Sequence, residues 1–396
     1  MSKVFIRYFS SQKIIRTIEQ KFSIFNFQFS MKDVSGFRIA LAHDSFTQFG
    51  GAERVIEALH EFFPEAPIFT LVYDKKFKDR YGSWDIRASW LQVIYQFIPK
   101  FQWLFPIIPL AVSSLDFSAY DIVISSSSSF IKNIRVPKNC VHINYCHTPT
   151  RFLWSEQNYV QQEVPALLRP IVRAIISAMK KWDYKGAQRV SKFIANSTEV
   201  QGRIKKYYNR ESEVVYPFID TNFWHPTAEK KDYFLVVGRL QAHKRNDLIV
   251  EIFNELGLPL RIAGTGRQEK YLQSIAKPNI SFLGNITDLQ LRDEYSAAKG
   301  LIYPQIEDFG LVPLEAAACG TATLAKAEGG ALETVLPRIT GEFFNSYNKD
   351  EIKQLILSWN PQKYSADNLR AQAEKFSKEK FREKIINFIF SLERSL

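Results

Sequence analysis

GLIYPQIEDFGLVPLEAAACG, residues 300–320, is the stretch whose reading decides the fold. GLIYPQ (300–305) is apolar and β-prone, so it predicts a buried strand. The spacing then predicts a helix from about Leu311. Pro313 suits its first turn, where the missing N–H leaves no bond unmade, and Gly320 suits its end. Strand, short loop and helix start form the unit of an open parallel sheet. In that geometry the N–H groups of Phe309, Gly310 and Leu311 face outward past the strand tip, where an anion can be held. Two carboxylates, Glu307 and Glu315, share the segment. In isolation such a pair more often means a helix capped by Glu307 or Asp308, with Glu315 on a solvated face. The rest of the chain weighs against that reading.

Outward from this segment, strand-like and helix-like stretches alternate twice. RIALAHD (38–44), IFTLVYD (68–74), DIVISSSS (121–128), VHINYCH (141–147) and FIANS (193–197) are strand candidates in the first half. YFLVVGRL (233–240), LRIAGTG (260–266), ISFLG (280–284), GLIYPQ and TATLAK (321–326) follow in the second. The pattern predicts an α/β protein with two doubly wound, Rossmann-like domains. Its expected divisions are an extension over 1–35, a first domain over 36–216, a linker over 217–232, a second domain over 233–377 and a last helix over 378–396. At 396 residues each domain is large enough to bury its own core.

Open α/β sheets bind ligands beyond the carboxyl ends of their strands, and the unusual residues collect there. Gly50-Gly51 follow the first strand and open a helix, so the backbone can approach a phosphate closely. A plain turn explains two glycines equally well, and the full G-x-G-x-x-G pattern is missing. Arg239 and Lys244 stand past a strand tip in GRLQAHKRND, two cations suited to a diphosphate whose charge grows as a bond to it breaks. A solvated basic loop is the competing reading, and Arg245 is an alternative to Lys244. His147 ends a strand, where it can meet substrate hydroxyls; a core histidine more often sits mid-strand. A sugar nucleotide satisfies the whole set: the cations and N–H groups take its diphosphate, and its hydroxyls donate to Glu307 and Glu315. The histidines show no H-x-E or H-E-x-x-H spacing and no D-x-D pair is present, so no metal or other cofactor is expected.

Composition narrows the partners. The excess of 52 Lys+Arg over 41 Asp+Glu gives a formal charge of +11, which suits a nucleotide, an acidic membrane surface or a nucleic acid. No nucleic-acid-binding module is recognisable, so that partner is not expected. Three cysteines without C-x-x-C spacing predict reduced thiols in the cytoplasm. No apolar run reaches the roughly 18 residues of a spanning helix. Two segments could still meet a bilayer surface. Ile14, Ile18, Phe22, Phe25 and Phe29 keep helical spacing in a basic extension, which is otherwise a helix covering the first domain or sequence upstream of a true start at Met31. The stretch 89–112 is aromatic and poor in acid, either a docking surface with Trp90, Trp103 and Phe105 at the interface or buried packing.

The segments HDSFTQFGGAE, IFTLVYD, YDIVISSSSS, YCHTPTRFLW, FIANSTEVQGRIKKYY, EVVYPFID, VVGRLQAHKRNDL, EDFGLVPLEAAACG and EGGALETV, in that order, resemble the retaining nucleotide-sugar glycosyltransferases of family 4. They resemble in particular the bacterial mannosyltransferase-like branch that builds surface polysaccharides. The resemblance runs from about residue 37 to 345 and implies a GT-B architecture, with the donor mainly on the second domain and the acceptor on the first. It implies Glu307 near the donor sugar and Glu315 on the ribose. Arg239 and Lys244 would hold the diphosphate, assisted by Phe309, Gly310 and Leu311, with Gly50 and Gly51 approaching from the other domain and His147 touching the donor sugar. The implied reaction is hexosyl transfer with retention and without metal, mannose from GDP-mannose being first choice, to a glycan or lipid-linked acceptor. A UDP-glucose or UDP-galactose enzyme and a non-catalytic sugar-nucleotide binder are the alternatives. The extension 1–35, the loop at Ala242-His243 and the Gly264-Thr265-Gly266 turn depart from the commoner family wording.

Overall fold

The computed structural model describes residues 36–98, 101–155 and 164–393. The extension 1–35 lies outside the described residues, and so does the side chain of Trp103. Two sheets, every paired strand parallel, organise the chain. The first contains β1 (Ile39–Phe46), β2 (Ile68–Tyr73), β3 (Ile86–Ala88), β4 (Ile122–Ser127), β5 (Val141–Cys146), β6 (Lys192–Ala195) and β7 (Ser212–Val214), in the order β3-β2-β1-β4-β5-β6-β7. The second contains β8 (Phe234–Val237), β9 (Leu260–Ala263), β10 (Ile280–Gly284), β11 (Gly300–Tyr303), β12 (Thr323–Lys326) and β13 (Gly341–Phe344), in the order β10-β9-β8-β11-β12-β13. In each sheet the strand order reverses direction beside the first strand of the set, which opens a crevice at that sheet edge.

Central strands such as IALAHDSF and GLIY are buried on both faces, as a parallel sheet covered by helices requires. Three strands escaped the sequence reading: β3, β7 and β13. All three are short and lie at sheet edges, so they carry neither a long apolar run nor a clean alternation.

Two features tie the halves together. The helix Lys378–Glu393 inserts Phe381, Ile385, Phe388 and Ile389 among Leu41, Ile124 and Ile143 of the first sheet's core, so the chain end returns to where it began. The segment 217–232, expected as the linker, is packed over its first half, whereas residues 225–232 are exposed. Ile219 and Trp224 are buried in the second sheet's core, and the Trp224 carbonyl accepts from Arg370 Nη1 at 3.0 Å.

The stretch 89–112 divides between its two readings. Prolines keep it from forming one helix, and it breaks into Leu91–Tyr95, a 3₁₀ segment Phe101–Ile107 and Ile108–Ser113. Leu91, Leu104, Ile108 and Val112 are core, whereas Val93, Phe97 and Leu110 are exposed. Phe105 does not face outward as an interface anchor. Its ring stacks on Phe152 with centroids 4.8 Å apart and meets Phe130 edge-on, because the 3₁₀ geometry turns it inward. Among the described residues no helix is long and apolar enough to cross a membrane.

Candidate functional site

The two loaded sheet edges face one another. On the second sheet, β8 is followed by Gly238, whose φ of +149° favours glycine and on which a Cβ would stand 2.9 Å from Gln305 Oε1. This lets the tips of β8 and β11 approach closely. Arg239 follows, exposed. A 3₁₀ turn, Ala242–Lys244, then buries Lys244, whose Nζ forms an ion pair with the Glu307 carboxylate from the loop after β11. Arg245 turns elsewhere, its guanidinium over the Tyr347 ring at 4.4 Å and toward Asp247 at 3.7 Å. Of the two alternatives, Lys244 is the cation directed at Glu307.

Glu315 lies in the helix Val312–Ala318 and is buried, not on a solvated face. Its Oε1 accepts from Arg54 Nη1 at 3.1 Å and its Oε2 from the Tyr295 hydroxyl at 3.1 Å. Burial pushes its carboxyl above the ordinary range, against the opposing pull of Arg54. Neither Glu307 nor Asp308 caps this helix: the N-cap position is Leu311 and no side chain bonds there. The loop 307–311 is held in other ways. Phe309 is buried and stacks on Tyr216 at 5.3 Å, and the Glu307 carbonyl accepts from Gly330 N at 2.9 Å. A Cβ on Gly330 would stand 2.0 Å from the Phe309 carbonyl oxygen, so this contact requires glycine. Among the described residues the N–H groups of Phe309, Gly310 and Leu311 have no hydrogen-bond partner.

From the first sheet, Gly50 and Gly51 open the helix Gly51–Phe62, and a Cβ on Gly51 would meet Leu311 Cδ1 at 3.6 Å. The glycine pair therefore faces the loop of the opposite sheet directly. Three turns of charge clasp the halves beside it. Arg54 spans from the same helix to Glu315 and to Asp288 at 3.3 Å. Arg151 and Arg203 both pair with Asp308. Glu333 accepts twice from Thr198 N, at 3.1 and 3.0 Å, at the start of the helix Thr198–Tyr208.

His147 ends β5 and is buried. Its N–H donates to the Ser127 carbonyl at 2.8 Å, and burial, with His43 nearby, pushes its pKa down to about 3. The loop that follows rests on a fully buried ion pair, Lys132 Nζ to Asp183 Oδ1 at 2.6 Å. Asp183 also accepts from Thr150 Oγ1, Trp154 Nε1, Tyr208 OH and Asn133 Nδ2, so its lone pairs are filled. That anchor sets the course of the backbone from His147 to Arg151.

The sequence-predicted residues thus converge on one cleft: Lys244 with Glu307, Glu315 with the helix that Gly50-Gly51 open, and Gly51 against Leu311. Arg239 makes no side-chain hydrogen bond or ion pair with the others among the described residues. Arg54, Asp308, Arg151 and Arg203 were missed as site residues. Each has a partner in the other half of the chain and no local spacing that marks it. Chemically, the cleft offers a buried ammonium, unengaged N–H groups and two carboxylates, a set that takes an anion and hydroxyl donors together. Among the described residues no group of three or more His, Cys, Asp or Glu is assembled to hold a metal ion.

Comparison with known proteins agrees with this architecture. Residues 49–223 match the model of Glycosyltransferase Family 4, and residues 219–378 match that of Glycosyl transferases group 1. The O-antigen chain mannosyltransferase RfbU of Salmonella typhimurium is 25% identical over 211 residues, covering 43% of this chain and 60% of that one. A GDP-mannose-dependent phosphatidylinositol monomannoside mannosyltransferase of Corynebacterium glutamicum is 30% identical over 136 residues, covering 30% of this chain and 35% of that one. The chain spans about half the length of the curated relatives it matches. Among solved structures, HepE of Anabaena in complex with UDP aligns with a TM-score of 0.64 at 15% identity, over 89% of this chain and 100% of that one. With two adjoining family models spanning both sheets and the fold shared throughout, the chain belongs to glycosyltransferase family 4 and has its two-domain GT-B fold.

Proposed function

We propose that the protein is a retaining glycosyltransferase that moves a hexose, mannose from GDP-mannose, onto a glycan or lipid-linked acceptor in cell-surface polysaccharide synthesis. The observation that carries this reading is the convergence of Lys244, Glu307 and Glu315 with three unengaged N–H groups at the facing sheet edges. The diphosphate lies against Lys244, Arg239 and those N–H groups, the ribose hydroxyls donate to Glu315, and the hexose lies between Glu307 and His147. Charge builds on the diphosphate as the anomeric bond breaks, and the cations stabilise it there. No side chain is proposed as a covalent nucleophile. The acceptor hydroxyl attacks on the face the leaving group vacates and passes its proton to the departing phosphate oxygen, and the protein's part is orientation and charge stabilisation. Mannosyltransferases among the relatives favour GDP-mannose. A UDP-glucose donor is the second reading, favoured by the neighbour HepE, which was solved with UDP-glucose.

The test is release of nucleoside diphosphate from a panel of GDP- and UDP-sugars by the purified protein, with and without EDTA. Because Lys244 and Arg239 supply the positive charge, release of GDP from GDP-mannose is expected to survive the chelator. Activity abolished by EDTA and restored by magnesium or manganese would contradict the metal-free part. Turnover of UDP-sugars alone would select the second reading, and turnover of none would reduce the protein to a binder.

We also propose that the protein works on the cytoplasmic face of a membrane, the first domain meeting anionic lipid through exposed Val93, Phe97 and Leu110 and through its basic charge. Co-sedimentation with anionic but not neutral liposomes is expected at low salt. It should fall when Phe97 and Leu110 are replaced by serine, and persist in part when residues 1–30 are removed. A folded protein that ignores anionic liposomes would point to a soluble acceptor.

A further inference from the structure

His147 does not stand alone at the tip of β5. Its Nε2 lies 2.8 Å from Ser126 Oγ on β4, and the same hydroxyl lies 3.3 Å from Nδ1 of His43 on β1. His43 Nε2 in turn faces Glu53 Oε1 at 3.7 Å, in the helix that Gly50-Gly51 open. All four side chains are buried, none more than 8% exposed. The sheet itself enforces the alignment, because His43 and Ser126 are register partners between β1 and β4.

The order of hydrogens along this chain follows from counting. A serine hydroxyl has one hydrogen, so it donates to one of the two rings and accepts from the other. Glu53 decides the direction. At 3.7 Å its carboxylate acts through its field rather than through a formed hydrogen bond, and in a buried setting that field favours a hydrogen on His43 Nε2 over a bare lone pair. Nδ1 of His43 is then an acceptor and receives the Ser126 hydrogen. Ser126 therefore accepts from Nε2–H of His147, which leaves the lone pair of His147 on Nδ1. Asp44, the other carboxylate nearby, is committed to the backbone N–H groups of Ser128, Ser129, Phe130 and Ile131.

We propose that Glu53, His43 and Ser126 are positioning residues that hold His147 in its Nε2–H form, so that Nδ1 accepts a hydrogen bond from a hydroxyl of the bound sugar. The tautomer rests on these four residues with a single hydrogen on the His43 ring, and the identity of the hydroxyl rests also on the transferase reading. Burial supports the arrangement by keeping His147 neutral.

Nuclear magnetic resonance of the full chain labelled with ¹⁵N-histidine reads the tautomer through long-range ring couplings. With six histidines, His147 is assigned by its absence in His147→Gln. The wild type is expected to show Nε2–H at His147. Ser126→Ala should mix the two forms and lower kcat/KM about tenfold, the worth of one neutral hydrogen bond. His43→Asn, whose side-chain oxygen can accept in place of Nδ1, should keep the Nε2–H form and most of the turnover, whereas His43→Leu should behave as Ser126→Ala does. Nδ1–H at His147 in the wild type, or an unchanged tautomer in Ser126→Ala, would overturn the assignment. The expected tautomers in a protein that turns over no nucleotide sugar would uphold the positioning chain and count against the transferase reading alone.

Discussion

Lys244→Ala is expected to lower kcat about 100- to 1,000-fold at saturating donor, the usual consequence of removing one preorganised donor from a developing oxyanion. The argument starts from burial. Lys244 is 4% exposed and its ammonium is fixed on the Glu307 carboxylate, so it reaches the transition state already desolvated and oriented. Glu307 is 25% exposed, so water can take over its solvation when the lysine is gone, and the fold should survive. Arg239→Ala should act in the same direction, since Arg239 stands exposed beside the same strand tip. Steady-state turnover, with circular dichroism to establish folding, checks both. Near-normal turnover in both variants would show that the diphosphate lies elsewhere.

Glu315→Gln is expected to weaken binding of the free nucleoside diphosphate about 10- to 100-fold, as loss of a charge-assisted hydrogen bond does. Glu307→Gln should instead depress turnover and leave that affinity little changed. The two acids sit in different settings. Glu315 is buried, with one contact on each oxygen from Arg54 and Tyr295, and its remaining lone pairs are free to accept ribose hydroxyls. Arg54 keeps Asp288 as a partner when the Glu315 charge is removed, which limits the structural damage. Titration of each variant with GDP and with UDP separates the roles. Equal, unchanged affinity in both would refute the ribose assignment.

What the sequence made legible was what local chemistry encodes. Glu307 and Glu315 could be read because a strand, a loop and a helix start have distinct periods and punctuation over twenty-odd consecutive residues. His147 could be read because it follows directly on β5, and Lys244 because it lies in the basic loop past the tip of β8. The buried strands announced themselves as apolar runs, whereas the edge strands β3, β7 and β13 are three or four residues long and each carries a charge, Arg87, Glu213 and Glu342. The clasp across the cleft left no such trace. Arg54 and Glu315 are 261 positions apart, and Arg203 and Asp308 are 105 apart, so their pairing is a property of how the two sheets are docked. Asp308 came into view only as a helix cap in the competing reading, because its actual partners lie in the other half of the chain. Phe105 shows the same limit at smaller scale: it was read as an interface residue from its aromatic surroundings, but its ring packs on Phe152 and Phe130, far along the chain.

The central claim is that the cleft between the two sheets holds a nucleotide diphosphosugar. Calorimetric titration of the purified wild-type chain with GDP-mannose and with UDP-glucose tests it most directly. Saturable binding of one donor per chain is predicted, with the matching nucleoside diphosphate competing for the same site and Glu315→Gln weakening both. A folded protein that binds no nucleotide sugar of either series, or binds one with an affinity that Glu315→Gln and Lys244→Ala leave untouched, would contradict it.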